Sequence, residues 1–194
     1  MNTTQASLLL RIKDRRDKQA WTEFDAIYRP LLQRFALSCG LGEADAEDVV
    51  QHCMESVQKH IEEFRYDPTR GRFRGWLRTI ASNRIRTLRR RRIEASAGSG
   101  AFDNIPNDDT SPEDAFARLW MEEHLKHCLD RVRSETDDRS FRAFVKYVID
   151  EHPVSEVCRH FEIDRARLYK FKWRITQRLQ QHMQEILGSD GKMS

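Results

Sequence analysis

Between Arg65 and Arg92 eleven arginines stand against a single acid, Asp67, a local balance of +10. Each guanidinium presents a planar fork of donors matched to phosphate oxygens, and each phosphate it neutralises releases counterions. Phosphate is the natural counterpart. Tyr66, Phe73 and Trp76 interleave the arginines, and aromatic rings stack on bases that have left the duplex, so the mixture suits melted or single-stranded DNA. The competing reading is a solvated basic helix end, with a localisation-like run at Arg89 to Arg92. Phe73 and Trp76 themselves fit a core better than a stacking platform.

A second tract carries the opposite sign. Glu43 to Glu63 holds seven acids against Lys59 alone, and apolar positions punctuate them at helical spacing. Its outer face either meets solvent or mates with a basic protein surface. From Arg159 to His182 the chain turns basic again, with seven Lys or Arg against Glu162 and Asp164. Helical periodicity lays Arg167, Lys170, Arg174 and Arg178 along one exposed face, for which DNA is the best partner. Enzyme chemistry has no comparable footing: the sequence holds no Gly-rich phosphate loop, no GxSxG elbow and no nucleophile–base pair by motif. His124, His127 and Cys128 fall on one helical face, but a metal needs a further ligand, so they read as structural. Neither a metal nor another cofactor is expected.

These tracts need helices to carry them. Trp21, Phe24, Tyr28, Leu31 and Phe35 recur at steps of three and four, a buried stripe with a kink expected at Pro30. Cys39-Gly-Leu-Gly42 breaks the chain before a second helix, which begins near Glu43 to Asp45 and turns Val49, Val50, Cys53, Met54, Val57, Ile61 and Phe64 inward. Tyr66-Asp-Pro-Thr-Arg-Gly71 reads as a turn, after which Phe73, Trp76, Leu77, Ile80, Ile85 and Leu88 resume a helical period to about Arg92. Glu94 to Asp114 has six acids and no Lys or Arg, the composition of a flexible linker. Beyond Ser111-Pro112, Phe116, Leu119, Trp120, His124, Leu125 and Leu129 describe one helix, and Phe141, Phe144, Val145, Val148 and Ile149 another. Pro153 opens a helix with Val154, Val157, Cys158 and Phe161, and Asp164 caps a last one from Arg165. The tight turn at Glu162-Ile163 makes this pair a helix-turn-helix whose second helix suits a major groove.

The expected fold is all-α, with two small helical domains: 1–93, a linker over 94–112, a second domain over 113–187 and a tail over 188–194. At 194 residues with 39% hydrophobic and 34% charged residues, two small cores fit better than one large one. The net charge of +3 is uninformative beside its distribution. Cys39, Cys53, Cys128 and Cys158 are widely spaced without a CxxC pair, which suits a reducing compartment. No apolar run approaches the ~18 residues that span a bilayer, and Asn2 to Gln5 before Leu8-Leu9-Leu10 make no signal-peptide pattern. A cytoplasmic protein without membrane insertion is expected.

The run DAEDVVQHCMESV at 45–57, followed by FRGWLRTIASNRIRTLRRRR at 73–92, resembles region 2 of extracytoplasmic-function sigma factors, and the helix-turn-helix at about 137–184 resembles their region 4. By this resemblance Asp45, Asp48 and Gln51 contact core RNA polymerase. The loop from Tyr66 to Arg72, Arg70 included, captures an unstacked base of the minus-10 element. Arg74, Arg78, Asn83 and Arg84 lie near that DNA, and Arg89 and Arg90 grip backbone. Flipping a base costs a few kcal/mol, which the pocket's contacts must offset. Arg165, Arg167, Tyr169, Lys170, Arg174 and Arg178 face the minus-35 duplex, where an arginine bidentate to guanine is worth about 1–3 kcal/mol. The acidic linker threads polymerase channels that otherwise hold nucleic acid. The chain departs from the family pattern at Thr87, where Asp is common, at Cys158 and Glu162, where Ala and Gly are usual, and at Ala166-Arg167-Leu168 in place of Gly-Thr-Val.

The resemblance implies a specificity subunit without an active site of its own, with core RNA polymerase and promoter DNA as partners and an anti-sigma protein among the candidate regulators. Two rivals remain: a stand-alone helix-turn-helix regulator, which the acidic helix opposes, and a non-catalytic adaptor that uses the acidic helix alone.

Overall fold

Every regular element that the computed structural model describes, over residues 4–64, 73–96 and 111–187, is helical. In chain order these are α1 (Thr4–Arg11), α2 (Lys18–Ser38), α3 (Glu43–His60), α4 (Phe73–Ser96), α5 (Pro112–Ser134), α6 (Asp138–Phe144), a π-helical turn (Val145–Ile149), α7 (Val154–Phe161) and α8 (Arg165–Leu187). The all-α expectation holds. The loop from 65 to 72 and most of the linker lie outside the described residues. Contacts divide the described residues into two compact units, one ending at Glu123 and one beginning at His124.

In the first unit, Asp17 starts α2 by accepting the Ala20 amide at 2.9 Å, and Arg11 holds the same carboxylate at 3.0 Å. An N-cap of this kind satisfies an otherwise orphaned donor. The helix runs through Pro30 without a break and buries Phe24, Tyr28, Leu31 and Phe35. It ends where Gly40 takes φ 78°, a left-handed conformation that glycine adopts without a Cβ clash, letting the Leu41 amide return to the Ala36 carbonyl at 3.3 Å. Helix α3 then starts with Glu43 and Asp45 in its first turn, at the positive end of its dipole. It buries Val49, Val50, Cys53 and Val57.

The first core reaches further along the chain than composition suggests. Phe116, Leu119 and Trp120, expected in the second domain, are buried with Phe24, Tyr28 and Phe73 in this core. The Trp120 ring lies 5.5 Å from Tyr28 and 6.4 Å from Phe73, and Phe116 meets Phe35 edge-on at 4.8 Å. Arg34 clasps Glu122 and Glu123 at 2.6 Å each, and Arg78 pairs with Glu113. The unit therefore closes inside α5, because the aromatic surface left by α2 and α4 needs a cover. Helix α4 runs to Ser96.

The second unit has two small apolar clusters. One joins Ala143, Val157, Phe161, Ile163, Leu168 and Phe171; the other joins Val132, Phe141, Phe144 and Ile175. Asp137 caps α6 through the Ser140 amide at 2.9 Å. Val148 and Ile149, which share the helical spacing of Phe141 and Phe144, are exposed. Both lie inside the π-helical turn, whose wider turn departs from the α-helical period that links them to Phe141 and Phe144. Helix α7 ends with Glu162 left-handed at φ 48°, ψ 51°, a conformation that costs a residue with a Cβ about 1–2 kcal/mol. Two features hold it there. The Ile163 amide reaches back to the Cys158 carbonyl at 3.0 Å, and Arg139 donates to the carbonyls of Phe161 and, at 3.3 Å, Glu162. Asp164 then caps α8 through the Arg167 amide at 2.6 Å, as expected.

Both the reach of the first core and the strain at Glu162 can be measured. A fragment ending at Glu123 should melt well above one ending at Glu94, and Trp120→Ala should destabilise the first unit by roughly 3–5 kcal/mol in urea unfolding; equal melting of the two fragments would remove α5 from that core. Glu162→Gly should raise the stability of the second unit by roughly 1 kcal/mol by relieving the left-handed strain, and a lower thermal midpoint would show that no strain is stored there.

Candidate nucleic-acid interface

The arginines of α4 divide into two sets according to which side of the helix they leave. Those on the α3 side have partners within the unit. Arg84 holds Asp48 in a two-point fork at 2.6 and 2.8 Å, Arg92 meets Asp45 at 3.0 Å, and Arg89 donates to the Cys39 carbonyl. The Arg84 guanidinium keeps the Asp48 carboxyl below its ordinary range, chiefly by hydrogen bonding to the charged form. Arg78 is half-buried against Glu113.

The opposite side of α4 is open. Thr79, Asn83, Arg86 and Arg90 are exposed at steps of three and four, so they form one stripe. Arg90 makes only a long contact with Glu94, at 3.7 Å, and Arg86 one of 3.4 Å with the Asn83 side chain. Arg86 is absent from the residues that sequence reasoning selected, although its spacing from Asn83 and Arg90 marks it. Arg74 is half-buried at the start of the helix. Tyr66, Arg70 and Arg72 lie outside the described residues.

On α3, Asp45 and Asp48 are thus engaged within the unit. Gln51 stands exposed and donates to Glu55 at 2.8 Å, while Glu47 takes Arg29 at 2.8 Å. The outer face of α3 is Glu43, Glu47, Gln51 and Glu55, an acidic stripe one residue off the pairs that face α4. Cys53 lies beneath it, and burial pushes its thiol up to about 12, so it carries no thiolate chemistry at neutral pH.

In the second unit, α8 buries Leu168, Phe171 and Ile175 and presents Arg165, Ala166, Arg167, Tyr169, Lys170, Lys172, Trp173 and Gln177. Of the four residues expected along one exposed face, Arg167 and Lys170 are exposed, whereas Arg174 and Arg178 are half-buried. Arg178 donates to the Glu135 carbonyl at 2.9 Å and the Thr136 hydroxyl at 3.2 Å, and Arg174 approaches Asp137 at 3.6 Å. These two close the turn before α6. In their place Trp173 stands 66% exposed, one turn beyond Tyr169. Among the described residues no group of three or more His, Cys, Asp or Glu is placed to hold a metal ion, and no helix is long and apolar enough to cross a membrane.

Residues 26–93 match the family model for sigma-70 region 2. SigE, an ECF RNA polymerase sigma factor of Mycolicibacterium smegmatis, is 29% identical over 128 residues, which are 65% of this chain and 46% of that protein. The match thus spans less than half the length of the curated relative. The stretch that is similar to sigma-70 region 2 takes in α3 and α4 as far as Ile93, the clasped acidic and arginine-rich helices. The resemblance read from the sequence agrees with both matches: the region 2 model covers the two helices that carry it, and the similar SigE is an extracytoplasmic-function protein by its name.

The Asp48–Arg84 fork has a pH signature. A carboxyl held below its ordinary value stabilises the fold above that value and loses its contribution as the pH falls through the lowered one. Asp48→Asn should cost roughly 0.5–1 kcal/mol near neutrality, in keeping with a half-exposed pair, and the deficit should shrink as the pH drops below 3.8, the ordinary aspartate value. A deficit that stays constant in thermal melts across that range would sink the fork as its cause.

Proposed function

We propose that this protein is a dissociable promoter-specificity subunit of RNA polymerase. The first unit binds core enzyme through the outer face of α3 and opens minus-10 DNA with the 66–72 loop and the open stripe of α4. The second reads the minus-35 duplex with the exposed residues of α8. Core polymerase supplies the catalysis; this chain supplies recognition. Of the residues that the family resemblance points to, Gln51, Asn83, Arg90, Arg165, Arg167, Tyr169 and Lys170 remain exposed for such contacts. Arg84, Arg174 and Arg178 support the reading indirectly, by holding α4 and α8 in place.

The observation that carries this reading is the match of 26–93 to sigma-70 region 2, coinciding with the acidic and arginine-rich helices. A stand-alone helix-turn-helix regulator would account for α7 and α8 but leaves the acidic outer face of α3 without a role.

Run-off transcription with purified core polymerase on a genomic promoter library tests it. Promoter-dependent transcripts should require both the polymerase and this protein; transcripts indifferent to the protein would refute the proposal. The docking face is best probed at Gln51, because a charge reversal at Asp48 would also break the Arg84 fork. Gln51→Arg should weaken co-purification with core enzyme by roughly tenfold or more through like-charge repulsion, with an unchanged thermal midpoint.

A further inference from the structure

The exposed side of α8 is not an isolated helix surface. The π-helical turn brings Tyr147 against it: the Tyr147 ring meets Tyr169 edge-on at 6.2 Å, and the Lys172 ammonium sits over the same ring at 5.3 Å. Tyr169 and Lys172 leave α8 on the flank opposite Arg174 and Arg178, which are tied to the 135–137 turn. Tyr147 is half-buried and packs on the apolar cluster of Val157, Leu168 and Phe171, so its ring is anchored. Lys172 is exposed. A lysine held over an aromatic face loses part of its rotamer freedom while its three donors stay directed outward.

We propose that Lys172 is a contact for the DNA backbone at the edge of the groove entered by α8, and that Tyr147 is a positioning residue that holds Lys172 and Tyr169 for it. The proposal rests on the reading of α8 as a duplex reader and adds residues from outside that helix. The occupant follows from charge. Arg165, Lys170 and Lys172 accompany Tyr169 and Trp173 on the open surface, and no acid between Arg165 and Gln184 opposes them. A polyanion is the complement of such a surface. Recognition helices place their N-terminal residues on base edges and leave later turns near the phosphates, which is where residue 172 falls. The π turn has a role on this view: π-helical turns concentrate at functional sites, and here the inserted residue turns Tyr147 toward α8.

The test is fluorescence anisotropy of the full chain with a labelled short duplex of mixed sequence, titrated over a series of salt concentrations. Lys172→Met should lower the slope of log affinity against log salt by about 1, the loss of one phosphate contact. Tyr147→Leu should weaken binding about two- to fivefold at low salt, the equilibrium factor of an exposed cation–π contact. Tyr147→Phe, which keeps the ring, should bind as the wild type does, whereas a merely structural defect would appear in the thermal midpoint of Tyr147→Leu. In a Lys172→Met, Tyr169→Ala background, Tyr147→Leu should add nothing. Normal binding and an unchanged slope for Lys172→Met would overturn the inference while leaving α8 as a duplex reader, the surface then belonging to a protein partner. Full additivity of Tyr147→Leu in the double-variant background would remove its positioning role. A wild-type chain that binds no duplex at any salt would sink both the inference and the reading beneath it.

Discussion

The two-point grip of Arg84 on Asp48 joins the most acidic helix of the protein to the most basic one, and the way each turns its outer surface is tied to it. Two helices of opposite charge attract along their whole length, but diffuse attraction sets neither rotation nor register. A planar guanidinium on a carboxylate does, because both hydrogen bonds form only over a narrow range of angles. With Arg92 on Asp45 and Arg89 on the Cys39 carbonyl, the fork fixes which arginines face inward. The stripe Thr79, Asn83, Arg86 and Arg90 is what remains outward, and the acids Glu43, Glu47 and Glu55 are left on the far side of α3. Charge thus has two roles in one helix pair: it orients the helices at their contact and leaves a surface of one sign on each.

The second unit solves a comparable problem with less apolar material. Its clusters are small, so polar groups at the turns carry much of the specification. Asp137 and Asp164 start α6 and α8, and Arg178 and Arg139 satisfy carbonyls at two of the turns. Glu162 takes a left-handed conformation that a glycine would take more cheaply. The turn nevertheless closes, since the Cys158 and Phe161 carbonyls are met only in that geometry. A strained position held by neighbouring hydrogen bonds is expected where an element must be aimed rather than merely packed.

Much of this was legible in the residues. Apolar periodicity located α2 to α4 and α7, the caps at Ser111-Pro112 and Asp164 were readable, and the tracts of opposite charge pointed to separate partners. Errors arose where one element's environment is set by another. Phe116, Leu119 and Trp120 have the right spacing for a helix whichever core they join. The aromatic surface of Tyr28, Phe35 and Phe73 decided that they join the first. Val148 and Ile149 continue a valid α-helical stripe, and the π turn that holds them departs from its period.

What the sequence determined by itself was the helices from α2 onward and the sign of each surface, because hydrophobic spacing, capping and charge density act over a few neighbouring residues. Tertiary structure alone decided which charges are spent within the fold. Asp48, Arg84, Arg174 and Arg178 look no different along the chain from Gln51, Arg90, Lys170 and Lys172. The distinction comes from partners that are distant in sequence: a carboxylate 36 residues away for Arg84, and a carbonyl 43 residues away for Arg178. A charged side chain near such a group is held by it, and one without such a group stays outward and available to a partner.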